Sequence, residues 1–113
     1  MRNQQIKLQE LPPSLRSFIH KYPKVWRAHE RLGIESTRAG PLKERDVQLI
    51  KIAVTGSLML ETSFKTHVRK AIRAKATRAE IEHTIIQTLP IIGIGRTMMA
   101  LKWYNETLRK PRR

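Results

Sequence analysis

An all-α fold of about six helices is predicted for this 113-residue chain by three observations. Apolar residues recur at helical spacing through most of it, and no stretch alternates apolar with polar as a half-buried strand does. Prolines, glycines and one capping pair cut the periodic runs into helix-length pieces. The length fits one domain with one core, small enough that burial against identical subunits would add to its stability. An apolar content of 40% is ample for a folded chain.

Residues 1–12 are polar and read as an N-terminal arm; the helical domain is expected over residues 13–108. Leu11-Pro12-Pro13 sets a sharp helix start near Ser14, because proline restricts the backbone before it. The first helix runs to Tyr22 and is short and amphipathic. Pro23 opens a second helix, carrying Val25, Trp26 and Leu32, with Gly33 as the expected stop. Residues 34–42 hold Ser36, Thr37, Gly40 and Pro41 and are expected to form a loop. From Lys43 to Met59 the residues Val47, Leu49, Ile50, Ile52, Val54 and Leu58 leave hardly a polar face, which predicts an interior helix. Phe64, His67, Val68, Ala71 and Ile72 then fall on one stripe, with Lys65, Arg69, Lys70 and Arg73 turned away. Thr77 and Glu80 have capping-box spacing ahead of a helix to about Thr88. Pro90, Gly93 and Gly95 interrupt the next apolar stretch, where small residues allow close helix packing. A last helix from about Gly95 to Leu108 is ended by Pro111.

The absence of cysteine excludes disulfides, thiolate metal sites and thiol catalysis on covalent grounds. No pair of histidines or carboxylates has the spacing of a strong metal site, and the glycines at 93 and 95 lack the strand and lysine of a phosphate loop, so neither metal nor cofactor is expected. The net charge of +14 raises nucleic acid as a partner. Lys and Arg are nonetheless spread evenly, 11 in residues 1–57 and 12 in residues 58–113, and cluster only in the basic tail 109–113, at Arg109, Lys110, Arg112 and Arg113. A scattered excess reads as a solvated surface, so nucleic acid is not the favoured partner. With no signal-like or membrane-length apolar run, a cytoplasmic location is expected.

The ordered set His67-Val68-Arg69-Lys70-Ala71-Ile72, Thr77, Glu80-Ile81-Glu82, Gln87, Pro90 and Gly93 resembles the core pattern of the carboxymuconolactone decarboxylase family. Upstream, Tyr22-Pro23-Lys24-Val25-Trp26, Ala39-Gly40-Pro41-Leu42 and Leu49-Ile50-Lys51-Ile52-Ala53 resemble its branch related to alkylhydroperoxidase D. The resemblance implies an alkylhydroperoxidase D-like helical bundle that assembles into homotrimers or homohexamers. Peroxidase members carry a Cys-x-x-Cys pair four residues before a histidine and a glutamate further upstream. Here those positions fall on Leu60, Ser63 and Gln48, with His67 retained. Neither leucine nor serine can attack peroxide or close a disulfide, so the dithiol peroxidase route is chemically closed. Gln48 likewise cannot relay a proton as a carboxylate does.

The decarboxylase branch does not use the dithiol. There the resemblance implies loss of carbon dioxide from a small carboxylated lactone, with His67 as the acid or base. Gln48 and Ser63 would border the substrate, and Arg69 or Arg96 would hold a carboxylate. The chain departs from that branch at Gly95, where a proline usually follows the glycine. His83 is placed near the same interior, while His20 and His29 are expected at the surface; Met98, Met99, Trp103 and Tyr104 are read as a subunit interface. Whether the chain is an enzyme is left open between two readings. One is a decarboxylase-like lyase, the other a non-catalytic oligomer that binds an anionic partner such as nucleic acid.

Overall fold

A computed structural model of the chain describes residues 7–109. Among these residues there is no strand. A 3-10 turn at Leu8–Glu10 leads into helices α1 (Pro13–Lys21), α2 (Pro23–Arg38), α3 (Glu44–Ser57), α4 (Glu61–Arg73), α5 (Arg78–Gln87), the single turn α6 (Leu89–Ile92) and α7 (Ile94–Thr107). Six of the helices have nine or more residues, in agreement with the expected all-α fold. The expectations for residues 1–6, for Lys110, Arg112 and Arg113 of the basic tail, and for Pro111 as a helix stop lie outside the described residues. No helix among the described residues is long and apolar enough to cross a membrane.

The centre of the molecule is the α3–α4 hairpin. Its short connection forces the two helices side by side, and Met59 takes a left-handed backbone (φ 59°) that lets Leu60 N–H reach Thr55 O at 2.9 Å. A second left-handed residue, Lys75 (φ 75°), closes α4 in the same way, with Ala76 N–H on Ala71 O at 2.9 Å. Helices α5 and α7 pack against this pair. The buried core joins Ile52 of α3, Phe64, Val68 and Ala71 of α4, Ile81 and Ile85 of α5, and Ala100, Trp103 and Tyr104 of α7. At Gly56 a methyl group would lie 3.1 Å from the Phe64 ring and 3.6 Å from Ala100, so the missing side chain is what admits that ring. Phe64 in turn tilts against Trp103, with ring centroids 5.8 Å apart.

Helix α5 starts as its sequence predicts. Glu80 N–H donates to Thr77 Oγ1 at 3.0 Å, and Thr77 N–H donates to Glu80 Oε1 at 2.8 Å. Arg45 reaches from α3 to the same glutamate.

Four expectations are corrected. Gly33 does not stop α2, which continues to Arg38, and residues 34–38 are helix rather than loop. Glycine ends a helix where the backbone turns left-handed, and Gly33 makes no such turn. The Thr37 hydroxyl instead donates back to Gly33 O at 2.8 Å, and the helix yields at Gly40-Pro41. Gly93 and Gly95 are not sites of close packing, since a methyl group at either would meet nothing within 4 Å. Gly93 is needed for its backbone (φ 89°, ψ 166°), which ends α6 and starts α7. Trp103 and Tyr104 belong to the core of a single chain rather than to an interface. Finally, α3 is not enclosed all round: Ile50 and Val54 each remain 50% exposed.

Gly93→Ala places a side chain in a region essentially reserved for glycine, and a loss of about 1–3 kcal/mol in urea unfolding is expected. An unchanged unfolding midpoint would contradict that account.

Candidate active site

Three helix faces converge on one cavity of about 1050 Å³. Helix α4 presents Ser63, Thr66, His67 and Lys70, at spacings of three, four and seven residues, which is one helical stripe. Helix α3 presents Glu44, Gln48 and Lys51 in the same manner, and α2 supplies Trp26, His29, Glu30, Gly33 and Thr37. Leu8, Leu11, Leu15 and Phe18 make an apolar wall from the N-terminal segment and α1. That segment is fastened to α4: Leu11 is buried, and Glu10 pairs with Arg73 Nη2 at 3.0 Å.

Because α3 and α4 form a hairpin, Gln48 and His67 meet across it. Gln48 is buried, and its Oε1 lies 2.8 Å from His67 Nδ1. An amide oxygen only accepts, so Nδ1 carries the proton and donates it, which leaves Nε2 with a lone pair. Burial first, then the positive charges of Lys70 and Lys51, push the imidazole down to about 4. Near neutral pH His67 is therefore an uncharged ring in a fixed tautomer, with a basic nitrogen that has no protein partner among the described residues.

The rest of the wall is cationic at one end. Lys70 is half-buried, and its ammonium is held below the usual range, chiefly by desolvation and secondarily by Lys51; Glu30 opposes the shift. Lys65, on the same helix but turned away, shows the contrast. It bonds Glu106 at 2.7 Å and Glu61 at 2.9 Å, and these outweigh its burial and raise its pKa. Glu44 contributes an acceptor, its Oε2 being buried without a hydrogen-bond partner.

Of the residues singled out in the sequence, the structure brings together His67, Gln48 and Ser63. Arg69 borders a different, smaller pocket of about 290 Å³ with Glu10, Glu61 and Lys65. Arg96 is exposed near the start of α7 and lines neither pocket. His83 is also exposed, bonded to Gln87 at 3.0 Å, and does not meet His67. His29, expected at the surface, is exposed yet borders the cavity, stacked on Trp26 with centroids 5.1 Å apart. Lys51 and Lys70 are the additions. Lys70, which the helical period turns away from the apolar stripe, lies three residues after His67, and that spacing signals a shared face.

Because the folded pKa of His67 is depressed, the unfolded chain binds this proton between its ordinary value of 6.5 and about 4 while the folded chain does not. The resulting contribution to stability is intact above pH 6.5 and is lost as pH falls toward about 4. His67→Gln is expected to flatten the decline in thermal midpoint across that window, and an unaltered slope would show that His67 is not buried as a neutral ring.

The pattern of the carboxymuconolactone decarboxylase family matches residues 21–106, which include every helical residue of the cavity from α2, α3 and α4. Among curated proteins none matches the chain. With a match over most of its length, an all-helical fold and no cysteine, the chain belongs to the carboxymuconolactone decarboxylase family, in a branch that lacks the Cys-x-x-Cys pair.

Proposed function

We propose that the cavity is the active site of a decarboxylase-like lyase acting on a small carboxylated lactone, with His67 Nε2 as the base. The observation that carries this reading is the hydrogen bond from His67 Nδ1 to Gln48 Oε1 at 2.8 Å, which fixes the tautomer with its lone pair on the other nitrogen. A base poised in this way takes a proton from bound substrate and returns it to the carbon that has lost carbon dioxide. Lys51 takes over the carboxylate-holding role first expected of Arg69 or Arg96, since it shares the cavity with His67 and they do not. Ser63 and Thr66 supply hydroxyls along the same stripe, and the leucines of the opposite wall give the cavity its apolar side.

His67→Ala is expected to abolish turnover of a carboxylated lactone while leaving helical content intact; undiminished turnover removes His67 from the mechanism. In the unaltered protein, kcat/KM should rise through an acid limb near pH 4 and stay level toward neutrality, because the neutral ring is the working form. A limb near 6.5 would mean that the ring is not shielded as described.

The protein is further proposed to act as a homotrimer or homohexamer. Ile50 and Val54 of α3, with Ile91, Ile94 and Met98 around α6 and α7, leave apolar side chains exposed on the single chain. The family resemblance supplies the reason to assign them to a second copy. Light scattering at micromolar concentration should return a mass of three chains or more, reduced by Val54→Asp; a stable monomer of the unaltered chain rules the assembly out.

A further inference from the structure

Lys70 lines the cavity beside His67, and the lyase reading gives its amine no role. It stands one turn beyond His67 on the stripe formed by Ser63, Thr66 and His67. Its Nζ has neither a hydrogen bond nor an ion pair among the described residues, whereas Lys65 on the outer face is held by two glutamates. Sharing the cavity wall with it are Lys51, Gln48 and Glu44 from α3, His29, Glu30 and Arg38 from α2, and His67 and Thr66 on its own helix. Glu30 acts on it through space but not as an ion-pair partner. A half-buried lysine beside a second cation, without a bound carboxylate, is the setting in which an amine serves as a nucleophile toward carbonyl carbon.

We propose that Lys70 forms an imine with the oxo group of small β-oxo carboxylates bound in this cavity, and that their decarboxylation proceeds through it. The inference rests on the reading of the cavity as an active site and names a substrate class for it. The amine nitrogen attacks the carbonyl carbon, and one N–H proton passes to the carbonyl oxygen by way of His67 Nε2. A second proton, from solvent, lets the hydroxyl leave as water and gives the cationic imine. The carbon–carbon bond to the carboxylate, held by Lys51, then breaks. Its electron pair forms the carbon–carbon double bond of an enamine while the C=N π pair moves to nitrogen, carbon dioxide leaves, and the enamine carbon then takes one proton from solvent. Water hydrolyses the imine, and the amine is regenerated.

The test is reductive trapping on the full chain. The protein is incubated with acetoacetate and sodium cyanoborohydride near pH 7, and alkylated lysines are located by peptide mass spectrometry. Alkylation at Lys70 is expected to exceed that at Lys65 several-fold, because Lys70 faces the cavity without an ion-pair partner whereas Lys65 is held by Glu61 and Glu106. Lys70→Arg, which keeps the charge and loses the nucleophile, should remove that adduct with helical content unchanged. Lys51→Met should lower labelling of Lys70 several-fold, because it removes both the cation that favours the neutral amine and the group that holds the acetoacetate carboxylate. Equal labelling of Lys65 and Lys70, or the absence of any Lys70 adduct, overturns the proposal, and in that case His67-dependent lactone turnover still stands. Loss of the lactone reading through an inert His67→Ala result leaves a specific Lys70 adduct as independent support for the imine.

Discussion

The contact on which the site depends is the one between Gly56 and the Phe64 ring, where a methyl group would come within 3.1 Å. It sets how closely α3 and α4 approach, and with the tight turn through Met59 it fixes their register. Gln48 lies on one arm of this hairpin and His67 on the other, so a bond of 2.8 Å between their side chains is tied to a packing contact in the core. Trp103 backs the same ring from α7. The imidazole is thus positioned by helices rather than by loops, which favours a fixed geometry over an adaptable one.

The same arrangement explains the electrostatics. A chain with a large positive excess has many lysines and arginines, and most sit where water solvates them. Lys51 and Lys70 instead border a partly desolvated cavity, where each disfavours a further positive charge and both favour an anion. His67 responds by remaining neutral. One pair of cations thereby makes the cavity favourable to an anion and helps keep the imidazole beside it uncharged.

Much of this was legible in the sequence, and what was missed has identifiable physical causes. Thr77 and Glu80 announced the start of α5 because a capping box is local chemistry. Gln48 and His67 were found through an ordered motif match, and neither periodicity nor composition would have paired them. Gly33 misled because a glycine letter does not reveal whether the backbone turns left-handed, whereas Gly93 does so turn. Trp103 and Tyr104 were assigned outward because an aromatic at helical spacing fits a core and an interface equally well. For Lys70, charge alone points to solvent; a cavity between helices is a tertiary property that lets a charged residue face inward without entering the core. Arg69 and Arg96 were reasonable carboxylate partners by residue type, but α4 turns one toward a separate pocket and α7 carries the other away.

Helices α1 and α2 supply one wall of the cavity, yet neither contains a buried residue. Stability in a small protein is unevenly distributed, and elements that bury little open at a lower free-energy cost than the core does. The hairpin of α1 and α2 therefore belongs to a weaker cooperative unit than the body formed by α3, α4, α5 and α7. Its amides should exchange with solvent ahead of those around Phe64. Leu11 and the Glu10–Arg73 pair are the fastenings that tie the segment before α1 to the body. The fold thus sets a well-buried body, which carries Gln48 and His67, against a lightly buried pair of helices that forms the facing wall of the cavity.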